Sequence, residues 1–213
     1  FYYIPGQPLH GHIDLHKNAP EPYQEFPAKA TGNDKFDAWP GINDWYETVK
    51  LNYGIDYVGG RVCRFHPIPD TWYKMRDILL FWAAKDIDGF RCDMAEMVPA
   101  DFWAWAIPQI KQSYPHIIFI AEVYNPNEYH NYLLHGQFDY LYDKVGLYDT
   151  LRALTCGSES ATAIQHRWQS LGNIQPRMLN FLENHDEQRI ASDFFAGNGF
   201  KAIPAMIVSA CMN

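Results

Sequence analysis

The chain of 213 residues lacks the hallmarks of several protein classes. Its four cysteines lie far apart with no C-x-x-C pair, which excludes a zinc ribbon and a dense disulfide framework. Its formal net charge is −8 and its lysines and arginines are scattered singly, which argues against nucleic acid or an anionic membrane as a partner. No segment reaches the roughly 18 apolar residues of a membrane span. What is present, 47% hydrophobic and 20% charged residues, is typical of a globular protein.

The first residues, FYYIPGQPLH, lack an initiating methionine and the basic and apolar segments of a signal peptide. We therefore expect either a processed chain or a piece of a longer protein. The residues themselves indicate no cellular compartment.

The chain changes character near residue 70. Residues 1–70 are rich in proline and glycine, no helical or strand period persists, and we predict an irregular, turn-rich domain. From Asp70 onward, helical patterns at 70–86, 99–114, about 145–171 and 199–213 alternate with short apolar strands. The predicted strands are IDGFRCDMAEM, HIIFIAEVY, FDYLYD and PRMLNFLENHD. This alternation predicts an α/β fold with a parallel sheet covered by helices on both faces.

Three acidic residues at the ends of predicted strands are candidate site residues. Asp93 closes GFRCD, Glu122 closes IIFIAE and Asp186 closes NFLENHD. The separations of 29 and 64 residues correspond to one and two βα units of about 30 residues each. Because the loops after parallel strands emerge at one edge of the sheet, we expect all three carboxylates there.

Side-chain alternation along GFRCD places Arg91 and Asp93 on one face of the strand, and Phe90 and Cys92 on the other. In a closed barrel the first face is the interior. The guanidinium of Arg91 carries a fixed charge and could hold the Asp93 carboxylate ionised and oriented.

Glu122 follows Ile118 and Ile120 on its own face of the next strand. An apolar neighbourhood would raise the pKa of this carboxyl and suit it to act as a general acid. An ionised aspartate and a protonated glutamate that face one point are what cleavage of a glycosidic bond requires. Each acid taken alone could equally be a strand-end cap or a surface ion pair.

These motifs resemble those of the α-amylase family of glycoside hydrolases. GFRCD resembles the family's strand-4 motif, with Arg91 and the nucleophile Asp93, and AEVY resembles its strand-5 motif, with the acid/base Glu122. FLENHD resembles its strand-7 motif, with His185 and the transition-state-stabilising Asp186. The resemblance implies that Arg91 and His185 bind substrate.

The resemblance runs from about residue 71 to the end and implies a (β/α)8 TIM barrel, of which residues 71–213 would supply about strands 4 to 7. Residues 1–70 would match the inserted, B-type domain that follows barrel strand 3. The family's strand-3 motif is absent and would lie before Phe1. Because an incomplete barrel leaves strand edges unpaired, we expect this piece to be inactive alone or to associate with another copy.

The activity implied by the resemblance is retaining hydrolysis of α-linked glucans such as starch and maltooligosaccharides, with no cofactor. A transglycosylase of the same family, or a non-catalytic carbohydrate-binding protein on the same scaffold, are the alternatives. The Lys-His pair that many α-amylases carry after the nucleophile is replaced by AEMV, so we assign neither calcium nor another metal. A polymeric substrate would suit an extracellular or periplasmic enzyme.

A separate motif, LHGHIDLH, is a candidate metal site. His10, His12, Asp14 and His16 alternate, and His-x-His-x-Asp resembles the ligand motif of metallo-β-lactamase-like hydrolases. In that motif a histidine directly follows the aspartate, whereas Leu15 intervenes here, and three prolines in KNAPEPYQEFP disfavour the helix that should come next. We interpret the alternation as the polar face of a short strand or loop.

Overall fold

The computed structural model describes residues 1–10 and 23–212. The chain divides into two compact units, residues 1–80 and 81–213, with the boundary inside the first long helix. None of the helices in the described part of the chain combines the length and apolar character needed to cross a bilayer.

The first unit contains little regular structure, as its prolines and glycines predicted. Strand β1 (Tyr3–Ile4) pairs antiparallel with β2 (Ala28–Lys29), and β3 (Ile55–Asp56) pairs antiparallel with β4 (Val62–Cys63). Helix α1 (Asp70–Ala83) begins in this unit. A small buried cluster lies beneath the first pair of strands and consists of Ile4, Ala28, Ala30 and Ala38.

Lys50 is an unusual buried cation in the first unit. Its ammonium donates hydrogen bonds to the carbonyl oxygens of Gly32 and Asn33 and lies 5.2 Å from the ring centroid of Tyr57. Burial lowers the pKa of Lys50, and the nearby positive charge of Arg61 lowers it further. These contacts join loops that share no extended strand, so polar contacts replace part of a hydrophobic core here.

The second unit is built on a parallel four-stranded sheet. Its strands are β5 (Gly89–Cys92), β6 (Ile118–Ala121), β7 (Tyr140–Tyr142) and β8 (Met178–Leu179), and they lie side by side in chain order. Arg91 pairs with Ile120, and Ile120 with Tyr140. Parallel neighbours in chain order, each joined by a helical crossover, are the arrangement that the sequence predicted.

Helices follow the strands along the chain. Helix α2 (Ala100–Ser113) lies between β5 and β6, and a short π-helix (Asn131–His135) lies between β6 and β7. Helices α3 (Asp149–Cys156) and α4 (Thr162–Leu171) lie between β7 and β8, and α5 (Gly199–Cys211) follows β8. Pro99 precedes α2 as its N-cap residue. The stretch predicted as helical at 145–171 is interrupted, because Gly157 adopts a left-handed conformation (φ 80°) and ends α3. Such a C-terminal glycine stops a helix without the steric cost that a side chain would bring.

The core between the sheet and its helices contains several buried aromatic rings. Phe119, Phe138 and Trp103 are buried, and Trp103 meets Phe138 edge-on at 4.9 Å between ring centroids. Trp103 is therefore part of the core. By contrast, Trp82 in α1 is exposed.

The predicted end of the last strand is wrong. NFLENHD was expected to continue as a strand up to Asp186, whereas β8 ends at Leu179. In the described part of the chain β8 pairs with β7 alone; β7 ends at Tyr142, and the last ladder bond runs from the Asp143 N–H to the Leu179 carbonyl. Because no described strand lies alongside the chain beyond Leu179, that segment continues as a loop.

Candidate active site

Arg91 lies at the centre of the site. Its Nη1 forms an ion pair with Oδ1 of Asp93. Its Nη2 lies 2.9 Å from Oε1 of Glu122 and 3.7 Å from Oδ2 of Asp186. One guanidinium thus contacts all three carboxylates that the sequence singled out, and the structure brings the four side chains together at the carboxyl end of the sheet.

The orientation of Arg91 is fixed from β7, the strand on the far side of β6. Its Nε donates a hydrogen bond to the hydroxyl of Tyr142 at 3.3 Å, and its guanidinium carbon lies 5.3 Å from the centroid of that ring. Burial opposes the charge of Arg91, but the hydrogen bonds to Tyr142 and Asp93 and the charge of Glu122 outweigh it and raise the pKa of Arg91. The residue is therefore a permanent cation within reach of three acids.

Glu122 is the buried acid of the site, with 2% of its surface exposed. Its Oε1 accepts a hydrogen bond from the Tyr124 hydroxyl at 2.8 Å, and its Oε2 accepts one from the Met94 N–H at 2.8 Å. With Arg91 also in contact, the surroundings are polar, and the apolar neighbourhood predicted for this carboxyl is wrong. The prediction considered only the neighbours of Glu122 along its own strand. The groups that contact its carboxylate come instead from Arg91 in β5, from Met94 in the loop after β5, and from Tyr124 beyond the end of β6.

Tyr124 and Tyr142 are site residues that the sequence analysis did not single out. Burial raises the pKa of Tyr124, and its hydrogen bond to Glu122 and the charge of Glu122 raise it further, so the hydroxyl keeps its proton and remains a donor. Strand alternation was the available signal for Tyr124, because a residue two positions after Glu122 points to the same side. No signal along the chain pairs Tyr142 with Arg91, since sheet order alone brings them together.

Glu96 holds the loop that follows Glu122. Its two carboxylate oxygens accept hydrogen bonds from the backbone N–H groups of Tyr124 (3.1 Å) and Asn125 (3.2 Å). Met94 adopts a left-handed conformation (φ 39°), a strained geometry for a non-glycine residue, and in this geometry its N–H reaches Glu122. The segment after β5 and the loop after β6 are thereby joined beside the buried acid.

The other two carboxylates are open to solvent. The side chain of Asp93 is 74% exposed and that of Asp186 is 50% exposed. His185, also exposed, places Nε2 3.3 Å from Oδ2 of Asp186. Glu122 is buried and hydrogen-bonded, whereas Asp93 and Asp186 are accessible. These distinct environments suit the acids to different roles, so that one can exchange protons while another contacts a substrate.

Only part of the candidate metal motif lies within the described residues. His12, Asp14 and His16 lie outside the described residues, and His10 stacks on the indole of Trp39 with 4.0 Å between ring centroids. In residues 1–10 and 23–212, no three His, Cys, Asp or Glu side chains are grouped as metal ligands.

Parallel strands in chain order, with polar side chains gathered at their carboxyl ends, are the arrangement found in part of an α/β barrel. An α-amylase from Lactobacillus plantarum has this fold and superimposes with a TM-score of 0.54 at 26% identity, over 71% of this chain and 36% of the amylase. A debranching enzyme from Nostoc punctiforme gives a TM-score of 0.58 at 20% identity, over 67% of this chain and 34% of that protein. The sheet is therefore part of a (β/α)8 barrel.

The sequence also matches curated proteins over a short stretch. An α-1,4-glucan:maltose-1-phosphate maltosyltransferase of Cereibacter sphaeroides is 39% identical over 57 residues, which is 27% of this chain and 10% of that protein. No protein-family model matches the chain. The chain spans about a tenth of the length of this curated relative and about a third of each of the two solved structures. The resemblance to the α-amylase family that the strand-end motifs predicted is confirmed.

Proposed function

We propose that this chain carries the catalytic centre of a retaining glycoside hydrolase that acts on α-linked glucans such as starch and maltooligosaccharides. The observation that carries the proposal is the contact of one guanidinium, that of Arg91, with Asp93, Glu122 and Asp186. Three acids that are far apart in the chain meet at one cation at the carboxyl end of a barrel sheet, where barrel enzymes hold their reactive groups.

In the proposed mechanism, an Asp93 oxygen attacks the anomeric carbon while the Glu122 carboxyl gives its proton to the departing glycosidic oxygen. The bond to the leaving sugar breaks and a glycosyl ester forms on Asp93. Glu122, now a carboxylate, takes a proton from water, and the water oxygen displaces Asp93. The exposure of Asp93 supports its role as nucleophile, and the hydrogen bonds from Tyr124 and Met94 fix the orientation of Glu122.

Asp186 would stabilise the positive charge that develops on the sugar ring in both steps, because its accessible carboxylate lies beside the other two. His185 would bind a sugar hydroxyl from the same loop. Arg91 would keep the nucleophile oriented through its ion pair with Asp93 and would help to bind substrate.

Release of reducing sugar from starch and maltooligosaccharides by the 213-residue chain, beside Asp93→Asn, tests the proposal. Activity that is lost in Asp93→Asn supports it. Activity that persists in Asp93→Asn refutes the role of Asp93. Glucan binding without turnover in the unmodified chain would favour the non-catalytic alternative.

A transglycosylase is the second candidate, because the curated relative is named a maltosyltransferase. Both activities share the glycosyl ester and differ in whether water or a sugar hydroxyl displaces Asp93. Product chain lengths distinguish them: transfer yields products longer than the substrate, whereas hydrolysis yields only shorter ones. Incubation of a maltooligosaccharide with and without maltose 1-phosphate, followed by chain-length analysis, also tests for the relative's donor.

We further propose that residues 1–70 form the inserted domain after barrel strand 3, and that the sheet edges take up further strands, either from a second copy or from additional barrel units. Among the described residues, β5 and β8 each have a single neighbour. Helix α5 also exposes apolar side chains, namely Phe200, Ile203, Met206 and Ile207. Light scattering that finds a monodisperse monomer with normal turnover would refute the proposed association.

A further inference from the structure

Asp186 lies outside the hydrogen-bonded ladder of the sheet. Strand β8 ends at Leu179, seven residues earlier, and pairs with β7 at only two positions. The contact of Asp186 with Arg91, at 3.7 Å, is the longest of the three that Arg91 makes with the carboxylates. Something other than strand register must therefore fix this side chain.

Part of the support is local. Oδ1 of Asn184 accepts hydrogen bonds from the backbone N–H groups of Asp186 and Glu187, both at 2.9 Å. Such a side-chain-to-backbone pair defines the turn, but it does not attach the turn to the rest of the protein.

Glu187 provides the attachment. Its Oε1 lies 3.1 Å from Nζ of Lys144, and its Oε2 accepts a hydrogen bond from the Tyr148 hydroxyl at 2.8 Å. The side chains of Lys144 and Glu187 are both mostly buried, so solvent screens their attraction less than on an open surface. Both oxygens of the residue next to Asp186 are thus held by the segment that follows β7.

The partners of Glu187 are themselves fixed. Lys144 also pairs with Oδ1 of Asp149 at 3.0 Å, and its ammonium lies 4.7 Å from the ring centroid of Tyr148. Tyr148 is buried and stacks on Phe181 at 5.3 Å between centroids. Burial raises the pKa of Tyr148, and its bond to Glu187 raises it further, so the hydroxyl remains a donor.

We propose that Glu187 is a positioning residue that, through Lys144 and Tyr148, fixes the backbone carrying Asp186 beside Arg91. Its catalytic consequence rests on the proposed glycosidase function, whereas the attachment itself does not. The loop after β8 is then held by the loop after β7, which replaces the missing strand ladder.

The test compares Glu187→Gln and Lys144→Met with a matched control, Lys111→Met. Lys111 forms a similar, partly buried pair with Asp139, at 2.5 and 2.7 Å, near the amino end of β7 and away from the site. Hydrogen exchange read by mass spectrometry follows the peptide that contains residues 180–190. We expect exchange there to rise by about tenfold in Glu187→Gln and Lys144→Met and to match the unmodified chain in Lys111→Met.

Turnover of a maltooligosaccharide measures the catalytic consequence, and the Lys111→Met control accounts for a general loss of stability. We expect kcat to fall by about ten- to a hundredfold in the two loop variants, with KM within about twofold and Lys111→Met near normal. Unchanged exchange at residues 180–190, or faster exchange with an unchanged kcat, overturns the proposal. Absence of turnover in the unmodified chain is the outcome expected of an incomplete barrel, and the exchange comparison then decides the attachment by itself.

Discussion

Nη2 of Arg91 lies 2.9 Å from Oε1 of Glu122, a carboxylate that is almost fully buried. The pair joins β5 to the residue that directly follows β6, and it places a fixed cation beside the proposed acid/base. Removal of one partner of a buried pair leaves the other charge uncompensated in a poorly solvated position.

Arg91→Met is therefore expected to destabilise the second unit by about 2–3 kcal/mol in urea unfolding, since Arg91 itself keeps some contact with solvent. Glu122→Gln on the Arg91→Met background should restore part of the loss, because the buried charge is then gone as well. The matched control is Arg64→Met, which breaks the exposed pair with Asp56 and should cost less than about 1 kcal/mol. Equal losses in the two arginine variants would contradict the importance of burial here.

Cys92 should be protected from alkylation in the folded chain. Burial raises the pKa of its thiol from 9.0 to about 12, whereas the other three cysteines are exposed. At pH 8.5, iodoacetamide should label Cys63, Cys156 and Cys211 but reach Cys92 only after unfolding. Labelling of Cys92 at the rate of the other thiols without denaturant would contradict this expectation.

The same shift predicts a pH dependence of stability. Because folding raises the pKa of Cys92, the contribution of its thiol to the free energy of unfolding is present in full below pH 9. That contribution declines as the pH rises from 9.0 toward about 12. Over that range, the free energy of unfolding should fall more steeply in the unmodified chain than in Cys92→Ala. Parallel curves for the two proteins would refute the shift, since the cavity left by the substitution has no pH dependence.

The sequence correctly predicted the strands whose two ends are determined by nearby residues in the chain. Strands β5 and β6 are short apolar runs between polar segments, so Asp93 and Glu122 were correctly expected directly after them. The end of β8 was wrong because FLENHD has strand-like residues but no partner strand alongside it. The polar surroundings of Glu122 were missed because they arise from sheet order and from a turn at Met94, neither of which an apolar pattern along one strand contains.

Among the described glycines, Gly146 is the one at which an added methyl group is expected to destabilise the protein most. A Cβ there would lie 1.6 Å from Nε of Arg167. Arg167 cannot move aside freely, because its Nη2 is held 2.9 Å from Oδ1 of the buried Asp143. Gly146→Ala should therefore destabilise the protein by about 2–4 kcal/mol, through overpacking or loss of this pair.

Gly199→Ala is the control for Gly146→Ala. A Cβ at Gly199, the first residue of α5, meets no atom within 4 Å, so this change should be neutral or slightly stabilising. Thermal unfolding measures both. Similar melting temperatures for the two variants would show that the Arg167 side chain can adopt another conformation without loss of stability.

Glu96 gives a graded prediction, because its two oxygens each accept one backbone N–H from the loop after Glu122. Glu96→Ala removes both acceptors and should cost about 2–3 kcal/mol, whereas Glu96→Gln keeps one acceptor and should cost about half as much. Glu128→Ala is the control, since Glu128 bonds only the exposed side chain of Asn131 among the contacts described and should change stability by less than about 0.5 kcal/mol.

If Glu96 also fixes Tyr124 for its hydrogen bond to Glu122, turnover should follow the same order, with Glu96→Ala below Glu96→Gln and Glu128→Ala near the unmodified chain. Unfolding in urea and initial rates on maltooligosaccharides, measured on the same four proteins, separate the two effects. Loss of stability without loss of kcat would show that Glu96 stabilises the fold but does not contribute to catalysis. Loss of kcat in Glu96→Gln at nearly full stability would mean that the charge of Glu96, and not only its two acceptors, acts on the Tyr124–Glu122 pair.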